Sequence, residues 1–513
     1  MYPHLIFGGE VISPDRLKSR AEGLADNLYR LGVRSDDVVA LMLRNEPAFL
    51  EIVLACQILG AYFCPINWQF KAAEVRHVLT DSGASIVFVH ADLFKEVEAP
   101  ATFAGLSVVI VDVPLILQQQ YAGGDPPLPT ASGLHYSSLL GRLEGIGRPA
   151  VQPRGAMTYT SGSTGKPKGV VRLPPAADLA ATALAKRRAL GQLVFGVSAS
   201  SIALLSAPLY HSAPLSYALF CAGEGATLFL ESKFSPQSTL QTIHDEQITH
   251  AYLVPTMYQR LLRIPEKERM TFNLSSLQFV ASTGSPCAPE TKRAMIEWFG
   301  PVINESYASS ETGYITFIGS EESLRRPGSV GKPALEAQVK ILDEEGHELP
   351  PNAVGLIYAR QPAYPDFTYK HNAQARASME RAGLVTVGDM GYRDADGYLY
   401  ISDRKSDMVI SGGVNIYPAE IEAVLNELPA VLDCAVFGIP DAEFGEALAA
   451  AIELHPEHSL TQAEVLTYLA PRLANYKLPK SIVFHDSLPR EDSGKIFKRR
   501  LRAPYWVNAG RLI

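Results

Sequence analysis

Cysteine is scarce in this 513-residue chain, and what there is forms no pattern. The five cysteines, Cys56, Cys64, Cys221, Cys287 and Cys434, are odd in number, widely spaced and mostly set among apolar neighbours, with no C-x-x-C pair. That excludes a disulfide framework and predicts a reduced, cytoplasmic protein. There is no H-E-x-x-H, and His244 and His250 lack metal spacing, so zinc is not expected. The first residues, MYPHLIFGGE, lack the basic start and apolar core of a signal peptide. Positive charge is in deficit: 46 Lys and Arg against 54 Asp and Glu leave a formal charge of −8, which argues against nucleic acid as the main partner. The longest uncharged run, Leu190 to Gly223, is broken by Gly191, Gly196, Pro208, Pro214 and several serines. It reads as buried strands and a buried helix, not as a transmembrane segment. No internal repeat or low-complexity segment is found.

What is present is ample core material, 47% apolar residues, in a chain too long for one core. About two to four structural units are expected. From Val38 the sequence alternates apolar runs with amphipathic ones: VVALML, a helix over Glu46 to Leu59, AYFCPI, a helix over Lys71 to Leu79, SIVFVH. This is the rhythm of parallel strands covered by helices. It resumes after residue 200 with ALLSAP, ATLFL, a helix over Pro236 to Glu246, HAYLV and a helix over Thr256 to Leu262. LQFVASTGSP, a helix over Pro289 to Phe299, and PVINESY follow. Between Ala337 and Ile401 strands occur without long helices, which predicts a small β-rich subunit. Beyond Asp403 the composition resets to a small α+β unit, with Pro418 opening a helix that carries Glu420 and Glu422 near its start. The basic run Lys498 to Arg502 is read as a solvated helix face as readily as a binding surface.

One stretch organises the rest: Tyr159 to Gly169, YTSGSTGKPKG. Its glycines let backbone N–H groups turn toward an anion, its hydroxyls add donors, and Lys166 and Lys168 add charge. It is a phosphate cradle but not a Walker loop, because Pro167 stands where a Ser or Thr is required. A flexible linker does not usually sit between two apolar runs. The S-x-x-K of penicillin-binding enzymes, matched by Ser163 to Lys166, needs a helical turn that Gly165 and Pro167 resist, and no S-D-N or K-T-G accompanies it. Ligands of such sheets bind at the carboxyl ends of strands, so loops 160–169, 282–286 and 308–313 are expected to converge on one crevice.

Together, YTSGSTGKPKG, YASSETG, VGDMGYRD, YISDRKSDMVISGGVNIYPAEIE and LPREDSGKI, in that order, resemble the adenylate-forming (AMP-binding) superfamily in its acyl-CoA synthetase branch. The resemblance extends back to about residue 10. It implies a large N-terminal adenylation domain, residues 1–403, of parallel α/β sheets plus a β-rich subunit, and a small mobile α+β domain, residues 404–513. It also implies a reaction: ATP and a small-molecule carboxylic acid give an acyl adenylate and pyrophosphate, and coenzyme A then takes the acyl group. Such chemistry joins two anions at phosphorus, so it rests on charge neutralisation and positioning.

Residue by residue, the resemblance assigns Lys495 as the mobile catalytic lysine and Glu311 as the Mg²⁺ ligand, a hard carboxylate suited to that ion. ATP or AMP would be held by Thr160, Ser161, Gly162, Ser163, Thr164, Gly165 and Lys168. It would also meet Gly284 and Ser285, and Tyr307, Ala308, Ser309, Ser310 and Thr312, with the Tyr307 ring against adenine. Asp389 and Arg404 would take the ribose. The acyl pocket is expected from Tyr210, His211, Ser212, Val254, Met257, Ser282, Thr283, Gly284 and Ala308. The coenzyme A channel is assigned to Ser411, Gly412 and Gly413, and the hinge to Ser406. Departures from the family pattern are Ser163 for Thr, Ala308 and Ser310 for Gly and Thr, and Ser406 for Asp or Lys. The chain also starts late against the family's first helical segment, and a homodimer is left open. Amino-acid-activating relatives place an acid soon after the motif seen here as PLYHS; HSAPLSYALF offers none, so an uncharged tail is expected. VPTMYQRLL and KRAMIEWFGPVINE resemble bacterial fatty-acid and steroid-side-chain CoA ligases, which puts an aliphatic acid first and leaves aryl and alicyclic acids as alternatives. Transfer to a carrier protein and a nucleotide-binding regulator without turnover are the remaining alternatives.

Overall fold

Short apolar runs become parallel strands where the alternation predicts them. The computed structural model describes residues 2–121, 133–160, 167–405, 407–411, 414–441, 444–490 and 496–507. Among them, five parallel strands lie in the order Tyr62–Pro65, Val38–Met42, Ala84–His90, Ser107–Val111, Leu134–His135. Val38–Met42 is buried along its whole length, as an unbroken apolar run in a doubly covered sheet should be. The helix Pro47–Leu59 starts on a proline, which suits the first turn, and stops at Gly60 in the left-handed region, φ 65°. Helix Ala72–Ser82 outruns its predicted end at Leu79 and stops only where Gly83 turns left-handed, φ 67°.

A second sheet is ordered Ile303–Glu305, Phe279–Ser282, His250–Tyr252, Ile202–Leu205, Thr227–Leu230, Leu5–Phe7, Glu10–Ile12, parallel except for the last pair. The uncharged stretch resolves into the end of helix Ala180–Phe195, the strand Ile202–Leu205 and the helix Ser212–Glu224. One apolar cluster joins the two sheets, with Leu24, Leu41, Phe49, Leu204, Tyr217 and Tyr252 at its centre. Each aliphatic or Phe side chain so buried contributes roughly 1.5–3 kcal/mol over exposure. No described helix is long and apolar enough to cross a membrane.

The strand Lys168–Arg172 pairs antiparallel with Thr158–Thr160 on one side and Phe367–Tyr369 on the other, which sets Lys168 beside Tyr369. From Thr316–Phe317 to Leu399–Arg404 the strands other than Phe367–Tyr369 form an antiparallel sheet with only the short helices Ser320–Arg325 and Ala373–Ser378 interposed, in line with the absence of long helices predicted over 337–401. After it, Val409–Ser411, Val414–Ile416, Val431–Asp441, Gly445–Leu454 and Ser481–His485 build a sheet covered by helices Pro418–Leu425 and Gln462–Leu469. It has a core of its own around Ile421, Val436, Ile452, Val465 and Leu469. Lys498 does not sit on a solvated face: its ammonium is 2.7 Å from Glu422, and the carboxylates of Glu422, Asp403 and Asp407 outweigh burial and raise its pKa. Arg263 reaches across from the large unit to the Leu432 carbonyl, 2.8 Å.

Candidate active site

A cavity of about 2700 Å³ lies at the carboxyl ends of the second sheet's strands and extends to the C-terminal unit. The crossover rule for open α/β sheets places a ligand there. Of the loops expected to converge, Thr283 to Pro286 and Tyr307 to Glu311 line it, as do Pro167 and Lys168 at the described end of loop 160–169.

The wall made by 307–313 is wired by hydrogen bonds. Glu311 sits on the turn between Ala308–Ser309 and Gly313–Tyr314, and is buried. The Ser309 hydroxyl accepts from the Thr312 N–H, 3.0 Å, and lies 2.9 Å from the Thr312 hydroxyl, so the turn closes on itself. Gly313 has φ 75°, and a Cβ there would overlap the Tyr364 ring. Tyr369 donates its hydroxyl to Glu311 Oε1, 2.9 Å. Burial and the adjacent carboxylate push the Tyr369 phenol well above its ordinary value, so it remains a donor. The Lys168 ammonium is 5.4 Å from the centre of the same ring.

Arg172 carries no assignment from the sequence, yet it clamps this wall. One guanidinium nitrogen donates to the carbonyls of Ser310 and Glu311, both 2.8 Å, and another to Pro365, 2.9 Å, while the group lies over Tyr364. Five donors in a rigid fork make arginine suited to fixing several carbonyls at once. The available signal was a charge closing the strand KGVVR after two buried valines, directly behind the phosphate loop in sequence.

Tyr307 donates to Asp389 Oδ2, 2.5 Å, so the residues assigned to adenine and ribose are bonded neighbours. Arg404 is the backbone register partner of Asp389 in the adjacent strand. Asp403 accepts from the Ala419 N–H, 3.0 Å, and Lys405 donates its N–H to Gly388, 2.8 Å, joining the chain on both sides of position 404 to fixed points. Thr312 is buried behind the wall rather than lining the cavity. Thr160 ends the strand that enters the phosphate loop.

On the acyl side, Tyr210, His211, Ser212, Val254, Met257, Thr283, Gly284 and Ala308 line the cavity together. The Tyr210 and His211 rings are 4.3 Å apart, and the Ser212 and Ser310 hydroxyls 3.1 Å. Ser282 is buried at its strand's end and is not among the lining residues. Sequence reasoning missed Phe195, Phe220, Tyr252 and Tyr314, which line the same side. Ser411 is at a hairpin strand end, paired with Gly445, and is likewise not among the lining residues. Ser161, Gly162, Ser163, Thr164, Gly165, Ser406, Gly412, Gly413 and Lys495 lie outside the described residues.

Among the described residues no cluster of three or more His, Cys, Asp or Glu could hold a metal alone. Glu311 offers one buried carboxylate at the cavity. That donor set fits Mg²⁺, which takes its remaining oxygens from phosphates and water.

Parallel sheets with polar, glycine-bearing loops at their strand ends, facing both a hydrogen-bonded wall and an apolar one, define an enzyme that brings a nucleotide to a second substrate. The chain belongs to the AMP-binding enzyme family: residues 2–364 match the AMP-binding enzyme model and residues 420–495 its C-terminal domain. It is 34% identical to an indoleacetate–CoA ligase of Aromatoleum aromaticum over 96% of this chain and 92% of that one. It is 31% identical to the long-chain-fatty-acid–CoA ligase FadD13 of Mycobacterium tuberculosis, with the same coverage. Among solved structures, ATP-bound MatB from Rhodopseudomonas palustris superposes with a TM-score of 0.84 at 26% identity, over 99% of this chain and 97% of that one. The enzyme is thus an AMP-forming ligase of the acyl-CoA synthetase class.

Proposed function

We propose that the protein activates a carboxylic acid with an uncharged, apolar tail as its acyl adenylate and transfers it to coenzyme A. The observation that carries this is the opposition of walls in one cavity: Glu311 with Tyr369 and Arg172 on one side, and on the other two helices whose one cavity-lining acid among the described residues, Glu224, is paired with Arg188. The first wall suits a nucleotide triphosphate. Tyr307 and Asp389 hold the nucleoside, Lys168 and loop 160–165 the phosphates, and Glu311 the magnesium. Mg²⁺ when bound supplies charge neutralisation of the phosphates. Lys495 draws the acid's carboxylate onto the α-phosphorus, where negative charge concentrates.

An aliphatic, fatty-type acid is the first reading, supported by the long-chain-fatty-acid–CoA ligase among the relatives and by Leu215, Leu219, Val254 and Met257 at the cavity. An aryl acid is the second reading, supported by the rings of Phe195, Phe220, Tyr252 and Tyr314 at that side. The C-terminal unit, residues 404–513, turns about Ser406 between half-reactions. Support comes from Ser411, which is not among the cavity-lining residues in this arrangement although the thiol channel is assigned to its turn.

A panel of straight-chain, aryl and alicyclic acids, assayed first for pyrophosphate release and then for thioester, tests this. Pyrophosphate release that depends on the acid, with thioester formed once coenzyme A is added, is the expected result. Release without a coenzyme A thioester would reassign the acceptor to another thiol carrier. ATP binding without release for any acid would leave a nucleotide-binding regulator.

A further inference from the structure

Helices Ala180–Phe195 and Ser212–Glu224 run antiparallel, and their contacts step along the pair. Arg188 meets Glu224 through two bonds of 2.7 Å, Gly191 meets Phe220, and Phe195 meets Tyr217 with ring centres 5.3 Å apart. On the first helix Arg188, Gly191 and Phe195 follow the i, i+3, i+7 spacing of one face, and on the second Ser212, Ser216, Phe220 and Gly223 follow i, i+4, i+8, i+11, again one face. Both faces line the cavity. Between them lies a crevice whose inner end is set by Ser212, bonded to Ser310 of the nucleotide wall. Its outer end is exposed at Gly223 and at Leu184, 65% exposed.

Phe220 interrupts that crevice. Its ring lies so close over Gly191 that a Cβ built there would overlap three ring carbons. It also packs 5.6 Å from Phe195. Gly191 is mid-helix, where glycine costs about 1 kcal/mol against alanine. The absence of a side chain is what admits the ring. The position is about 12 Å along the helix from Ser212, at 1.5 Å per residue.

We propose that Phe220, seated on Gly191, is the length gauge of the acyl crevice: it stops the tail of the bound acid, and beyond it the crevice continues to the surface past Arg188 and Glu224. The proposal rests on the acid-activating function above and adds the residue that limits the acid's length. The ring is a specificity determinant, not a catalytic group, since only the tail would meet it.

The test compares wild type, Phe220→Ala and Gly191→Ala on two series of increasing length, straight-chain acids from butanoate to palmitate and para-alkoxybenzoates. The readout is acid-dependent pyrophosphate release. Phe220→Ala should move the longest accepted acid upward, raising kcat/KM for the first acid rejected by wild type by about tenfold or more, against a smaller change for shorter acids; one methylene in an apolar pocket is worth that much. Gly191→Ala displaces the ring and should shorten the cut-off. If Phe220→Ala proves poorly folded, Phe220→Leu reports the same shift with less volume lost. An unmoved cut-off in active variants would overturn the gauge. No turnover of any acid by wild type would instead overturn the acid-ligase reading itself.

Discussion

The two walls of the cavity are built by opposite means. The nucleotide wall is a set of short loops fixed by specific donors and acceptors: Tyr307 to Asp389, Tyr369 to Glu311, and Arg172 to two successive carbonyls. The wall proposed for the acyl group is two helices joined by packing, with the Phe220 ring seated on Gly191, and by the Arg188–Glu224 pair. A buried polar network must be satisfied atom by atom, so it tolerates few substitutions. An apolar wall needs only volume and shape, so its sequence is free to differ with the acid. The first wall should therefore govern reaction with every acid alike, and the second should discriminate between acids.

Variants of the nucleotide wall test whether the division holds. The largest effect is expected from Lys495→Ala, which should lower adenylation by roughly 10²–10³-fold, the usual cost of one contact made in the transition state. Reaction of preformed acyl adenylate with coenzyme A should be spared; equal losses in both half-reactions would remove the lysine from its role. Glu311→Gln keeps shape and loses the charge proposed to hold magnesium. Half-saturating magnesium should rise by roughly 10–100-fold, the cost already typical for residues one step removed from a metal, and an unchanged titration would take Glu311 out of the metal's reach. Arg172→Lys replaces a fork by a point charge and leaves carbonyls of the 310–311 turn unsatisfied, at about 1–3 kcal/mol. Its KM for ATP should rise by the same factor with a short and a long acid; a factor that varied with the acid would break the comparison. Smallest is Tyr369→Phe, which removes one hydrogen bond to Glu311 and should cost about 0.5–1.5 kcal/mol in kcat/KM for ATP.

The same contrast explains what could be read in the sequence. Loops 282–286 and 308–313 were legible because glycine and hydroxyls recur there at short spacing, and the strand rhythm placed them at one sheet edge. Glu311, Tyr307 and Asp389 came from motifs. Arg172 was not legible, because its partners, Ser310, Glu311 and Pro365, lie more than a hundred residues away and are backbone carbonyls that any residue offers. Phe220 was not legible for a related reason: one ring among many apolar residues gains meaning only when Gly191 of another helix is seen beneath it. Lys498 read as a surface cation because Glu422, its partner, belongs to a different helix.

Acid-dependent exchange of labelled pyrophosphate into ATP, without coenzyme A, tests the central claim most directly. The account predicts exchange that requires acid and magnesium, is lost in Lys495→Ala, and keeps its acid preference in Arg172→Lys. Thioester formation with no exchange under any acid would contradict it, because no acyl adenylate would then lie on the path.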